Sequence, residues 1–150
     1  MKKIKFIFAI LVAGLLGTGC NKMVYYDDPF VAFLVSDATS IDCTAVRDSE
    51  YRVHLTSGKP KQAIEVTFSV NPGNGLKEGT DYKVTTEGNT LRFLPGIYEL
   101  PIRISWMSNQ IDKSKDNSLT IRLETVSDPN VTLGMPGPAE NMREIKISKY

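Results

Sequence analysis

From about residue 30 to the C-terminus, apolar and polar residues alternate in short runs separated by turn signals. Residues 30–35 (FVAFLV) form a compact apolar run and predict a first strand. Residues 40–46 read as a short edge strand. In 50–56 (EYRVHLT), Tyr51, Val53 and Leu55 share one face and Arg52, His54 and Thr56 the other, the two-residue period of a half-buried strand. In 63–70 (AIEVTFSV), Ile64, Val66, Phe68 and Val70 point inward. Strands are also predicted over 83–85, 90–94, 97–106, 118–126, 131–133 and 143–149. Within the longest, Tyr98, Leu100, Ile102, Ile104 and Trp106 lie on one face. Pro101 lacks an N–H, so this strand is expected to be an edge or to carry a bulge. Gly, Pro, Asn and Asp clusters at 57–60, 71–75, 87–89, 95–96, 127–130 and 134–138 punctuate the runs.

No window beyond residue 21 sustains an apolar 3.6-residue period. Seven or eight short alternating strands predict an all-β fold, an antiparallel β-sandwich with a barrel as the alternative. Its core is expected to hold Val53, Leu55, Val66, Phe68, Leu91, Phe93, Ile102, Ile104, Ile121 and Leu123.

The first 21 residues, MKKIKFIFAILVAGLLGTGCN, follow a different pattern. Lys2, Lys3 and Lys5 precede an apolar run from Ile4 to Leu16, then small residues and Cys20. A basic start, a short apolar stretch and a small-residue cleavage zone define a secretory signal. The apolar run is shorter than the roughly 20 residues a spanning helix requires. With cysteine at the cleavage point, the stretch resembles the lipobox of bacterial lipoproteins, although Gly17 stands where that motif usually has Leu. The resemblance implies removal of residues 1–19 and lipidation of Cys20. Residues 20–28 would then form a lipidated tether, and 29–150 the sandwich. An ordinary secreted protein cut nearby is the alternative. Asn21 after the cysteine favours the outer membrane by analogy with lipoprotein sorting, on either its periplasmic face or the cell surface. The tether reaches at most about 30 Å when extended.

Charge narrows the partners. The leader carries three of the 18 basic residues and none of the 17 acidic ones, so residues 20–150 have a net charge of −2 with His54 neutral. A nucleic-acid partner would need a basic face, and a polybasic patch for anionic lipid is also missing. Of the two cysteines, Cys20 is assigned to lipid. Cys43 is left without a disulfide partner and is expected to pack as a small hydrophobe.

Three segments in order, EGTDY (78–82), LRFLPG (91–96) and DNSLTIRL (116–123), resemble a Calx-beta domain over roughly residues 50–133. That family shows a Gly-x-Asp-Tyr step, a Phe-x-Pro-Gly hairpin and an acidic loop before a strand ending in Leu. The resemblance implies an immunoglobulin-like sandwich, and similar modules occur in small Bacteroidota lipoproteins that accompany glycan-utilisation systems. It also implies carboxylates for Ca²⁺, a cation that takes six to eight oxygen ligands. Asp81 and Glu87 match acidic positions, and Asp112 and Asp116 lie nearby. The family's aspartate run is replaced by Trp106, Met107, Ser108 and Asn109, and Lys113 and Lys115 oppose a divalent cation. No metal or other cofactor is therefore expected, and Asp81 is expected to bond loop backbone while Tyr82 packs at the sandwich end.

No catalytic set emerges. A zinc site needs several His or Cys ligands, the acidic residues are too scattered for a glycosidase pair, and His54 is expected on a solvated face. For a sugar, exposed aromatic rings would be needed. Trp106 and Tyr98 are the first candidates, then Tyr25 and Tyr26, though the phase of Trp106 with Ile102 and Ile104 favours the core. The polar loop 107–117 is the expected contact surface. The sequence thus predicts a membrane-anchored, non-catalytic module that contacts an envelope protein, with glycan binding as the alternative and Ca²⁺ binding as a lesser one.

Overall fold

The computed structural model describes residues 28–34, 39–58, 60–137 and 141–150. The leader, Cys20, Tyr25 and Tyr26 lie outside them. Among the described residues there is no helix, and ten strands form. They are β1 (Phe30–Phe33), β2 (Ser40–Ile41), β3 (Arg47–Thr56), β4 (Ile64–Pro72), β5 (Tyr82–Val84), β6 (Thr90–Phe93), β7 (Glu99–Trp106), β8 (Ser118–Val126), β9 (Thr132–Leu133) and β10 (Glu144–Lys149). The count exceeds the expected seven or eight because β2 and β9, two residues each, pair at sheet margins.

The strands make two five-stranded sheets, in the orders β5–β7–β3–β1–β9 and β2–β10–β8–β4–β6. Pairing is antiparallel except for β1 with β9 and β2 with β10. The fold is an all-β sandwich. Successive strands alternate strictly between the sheets, so no two neighbours in sequence pair with one another. The 94–97 turn is accordingly an arch from the second sheet to the first, which corrects the hairpin that the Phe-x-Pro-Gly pattern implied. Every register is set by partners distant in sequence, a topology that slows folding.

The inward face of each long strand supplies the core. All ten expected core residues are buried, joined by Tyr51, Ile64, Leu119, Ile145 and Ile147. Burial of that apolar surface is the main favourable term in folding, at roughly 25 cal/mol per Å². Along β4 and β8 the register shifts between Thr67 and Phe68, which face Thr125 and Leu123, so Glu124 is the extra residue of a bulge on β8.

Pro101 has a simple solution. β5 covers β7 only from Ile104 to Trp106. Arg52, opposite Pro101, directs its carbonyl to Leu34 on the β1 side, so this pair exchanges no ladder bonds. The ring nitrogen therefore faces the uncovered side of β7, where no donor is needed. The strand is interior at one end and an edge at the other.

Strand directions give the sandwich two unlike ends. The chain starts β1 at one, the N-terminal end, which also carries the turns at 57–63, 94–98 and 127–131. The other, the loop end, gathers the segments 42–46, 73–81 and 107–117 and the C-terminal residue Tyr150.

Candidate functional site

At the loop end, residues 77–81 form a tight turn because Asp81 is both its last residue and its cap. The Thr80 and Asp81 N–H groups donate to the Lys77 carbonyl (3.2 and 2.9 Å), and the Lys77 N–H donates back to Asp81 Oδ2 (2.9 Å). Gly79 supplies the left-handed backbone the turn needs, at φ 80°. The second carboxylate oxygen, Oδ1, accepts from Asn109 Nδ2 and from Lys149 Nζ, each at 3.0 Å. Lys149 also donates to the Met107 carbonyl at 2.9 Å. Its side chain is wholly buried and that of Asp81 is 4% exposed. The pair thus joins the start of β5, the end of β7 and the end of β10, bridging both sheets.

Burial pushes the Asp81 carboxyl upward, but the Asn109 bond, the Lys77 N–H and the Lys149 ammonium outweigh it and hold the group below its ordinary range. Tyr82, the next residue, is buried, and burial followed by the Glu78 and Asp81 charges raises its phenol. The expected roles of Asp81 and Tyr82 hold: one bonds loop backbone, the other packs, its ring centroid 6.1 Å from that of Trp106. Lys149 escaped the sequence reading, and Asn109 entered it only as one of the residues replacing the family's aspartate run. The signal for Lys149 was present, since it continues the inward phase of Ile145 and Ile147. A lysine on an inward phase requires a buried acceptor.

The other loops interlock above this pair. Cys43 N–H donates to the Tyr150 carbonyl (2.7 Å), and Asn109 N–H to the Cys43 carbonyl (3.0 Å). Gly73 and Gly75 N–H groups donate to the Ser118 and Asp116 carbonyls at 2.7 and 2.9 Å. The segments approach so closely that a Cβ on Gly73 would overlap the Asp116 carbonyl oxygen, and one on Gly75 would displace the Asn117 side chain. At Gly73 the obstacle is backbone, so space requires glycine there.

Asp112 and Asp116 are exposed, and each turns on its own loop. Asp112 Oδ1 accepts from the hydroxyl (2.6 Å) and N–H (3.0 Å) of Ser114, and Asp116 Oδ1 from those of Ser118 (2.6 and 3.1 Å). The serine hydroxyl is the main cause lowering each carboxyl. Glu87 is exposed in the β5–β6 connection. The four weak metal candidates are therefore not brought together, and Asp81 already holds an internal cation. Among the described residues, no three His, Cys, Asp or Glu side chains converge.

The aromatic candidates separate. Trp106 is completely buried and donates from Nε1 to Tyr51 Oη at 3.2 Å. Its ring presents no face to a ligand, which corrects its place among the sugar-binding candidates and fits its phase with Ile102 and Ile104. Tyr98 is half-buried at the N-terminal end, its hydroxyl donating to the Gly58 carbonyl at 3.2 Å. His54 is half-buried between Ala32 and Glu99 in the first sheet, and its Nδ1 is shielded without a hydrogen-bond partner. The β1 and β7 neighbours crowd it, so it is less solvated than alternation alone implied. Cys43, half-buried, lies at the opposite end of the sandwich.

Chemically, the loop end is a set of polar loops locked from below by a buried ion pair. It offers Gln110, Lys113, Ser114 and Lys115 as exposed contact groups. No protein-family model matches the chain, and no curated protein matches it in sequence.

Proposed function

We propose that this chain is a lipid-anchored, non-catalytic module of the cell envelope. It is tethered to the outer membrane through Cys20 and acts by protein–protein contact as an accessory part of an envelope or glycan-utilisation complex. The observation that carries the reading is the polarity of the molecule. A lipobox-like leader precedes a sandwich whose first strand starts at one end, and the rigid polar loops crown the other. With ten residues in β3, the ends stand about 30 Å apart. A domain held at its N-terminal end presents loop 107–117 away from the lipid.

Strand order supports the immunoglobulin-like, Calx-beta-like part of the proposal. The run β1–β3–β7–β5 facing β10–β8–β4 follows the ABED and GFC order of constant-type immunoglobulin sandwiches. The separation of Cys43 from His54 supports a role without nucleophilic catalysis, because such a pair must lie within hydrogen-bond reach.

A photo-crosslinking residue at Gln110, compared in native cells with one at Arg92 on the outer face of β6, tests this function. A discrete membrane-protein adduct from position 110, absent from position 92 and lost in Cys20→Ala, is the expected result. Equal labelling from both positions, or an adduct unaffected by Cys20→Ala, contradicts it.

A further inference from the structure

Among the described residues, four large apolar side chains stand exposed: Val46 and Tyr150 at the loop end, Leu94 and Ile97 at the N-terminal end. Isolated exposed apolar residues are common, so exposure alone carries nothing. Position distinguishes the second pair. Leu94 and Ile97 flank Pro95 and Gly96 on one tight turn, closed by the Ile97 N–H on the Leu94 carbonyl at 2.8 Å. Gly96 takes φ 89° there. Leu94 is 49% and Ile97 42% exposed.

The turn is fastened to the segment from which the chain departs. Leu55 N–H donates to the Tyr98 carbonyl at 2.8 Å, and Tyr98 Oη donates to the Gly58 carbonyl. Between those two points, Thr56 Oγ1 accepts from Phe30 N–H at 3.1 Å and donates to the Phe30 carbonyl at 3.0 Å. Residues 55–58 therefore hold the apolar turn and the first residues of β1 together. Any lipid attached at Cys20 lies within about 30 Å of this end.

We infer that the 94–97 turn is a second membrane contact, with Leu94 and Ile97 seated at the interface of the lipid leaflet that holds the anchor. This rests on the lipid-anchor reading above. The turn suits an interface. Pro95 brings no N–H, and the Ile97 N–H is already bonded, so two of its four residues present no free donor to be stripped of water. Exposed Lys61 and Glu99 and half-buried Asp128 on adjoining segments limit the depth to the headgroup boundary and carry both signs of charge. The seat is thus apolar and does not depend on anionic lipid.

The test uses the full lipidated protein reconstituted in phosphatidylcholine vesicles with brominated acyl chains. Tryptophan is introduced as Ile97→Trp and, at the opposite end, as Val46→Trp. Native Trp106 is sealed in the core and gives a constant background in both and in wild type. The seat predicts that the new tryptophan at 97 is blue-shifted and quenched at least twofold more than the one at 46. Equal quenching at the two positions, with wild type still vesicle-bound and Cys20→Ala released, overturns the seat alone. Wild type and Cys20→Ala partitioning alike would overturn the anchor, and the seat with it.

Discussion

The two ends of the sandwich close in different ways. At the loop end, three connections and Tyr150 are bonded to one another over a sealed Asp81–Lys149 pair, and Gly73 lies where a Cβ would meet the backbone of the neighbouring segment. At the N-terminal end, short separate turns each close on themselves or on one neighbour. The 57–63 turn meets the arch at Tyr98, and Ser127 bonds to Glu65. Stability at the first end is collective and electrostatic, whereas at the second it is local. A surface that must present fixed polar groups benefits from the first design, because its loops lose little further freedom on contact.

The largest way to break this contrast is Asp81→Ala. It strands a buried ammonium and removes the cap of the 77–81 turn, so urea denaturation should show a loss of about 3–5 kcal/mol. Lys149→Met should cost less, about 2–3 kcal/mol, because Asn109 and the Lys77 N–H still serve the carboxylate. Acid sharpens the point. The folded Asp81 pKa is depressed, so its contribution is present in full above the ordinary carboxylate range. It is lost as the pH falls through the folded value. Stability of Asp81→Asn should therefore fall less between pH 5 and pH 3 than that of wild type.

Glycine substitutions compare the ends directly. Gly73→Ala forces backbone apart at the loop end and should cost about 1–3 kcal/mol. Gly58→Ala, with nothing within 4 Å of the added carbon, should be neutral or stabilising by up to about 1 kcal/mol. The smallest expected effect is that of calcium. With Asp81 held by Lys149 and Asp112 and Asp116 committed to their own loops, millimolar Ca²⁺ or chelator should leave Tm unchanged. A rise with Ca²⁺ would reveal preferential binding to the folded state.

Much of the fold was legible because strand alternation records directly which residues face inward. Tyr51, Val53 and Leu55 on β3 and Leu119, Ile121 and Leu123 on β8 are all buried as their phase demands. Alternation carries no information about which sheet a strand joins. The arch at 94–97 therefore resembled a hairpin, and Pro101 required a half-covered strand that only the pairing of β5 reveals. The site was legible in part. Asp81 stood out by its loop, but its partner lies 68 residues away at the end of β10, and a two-residue period does not say which carboxylate an inward lysine meets. The phase of Trp106 already favoured the core, but the partner of its indole N–H, Tyr51, lies 55 residues distant, where periodicity carries no signal.

Intact-mass spectrometry of the protein extracted from native membranes decides whether the chain is lipid-anchored. The expected mass is that of a polypeptide beginning at acylated Cys20, with residues 1–19 gone. A polypeptide retaining its leader, or one beginning elsewhere without lipid, would contradict it.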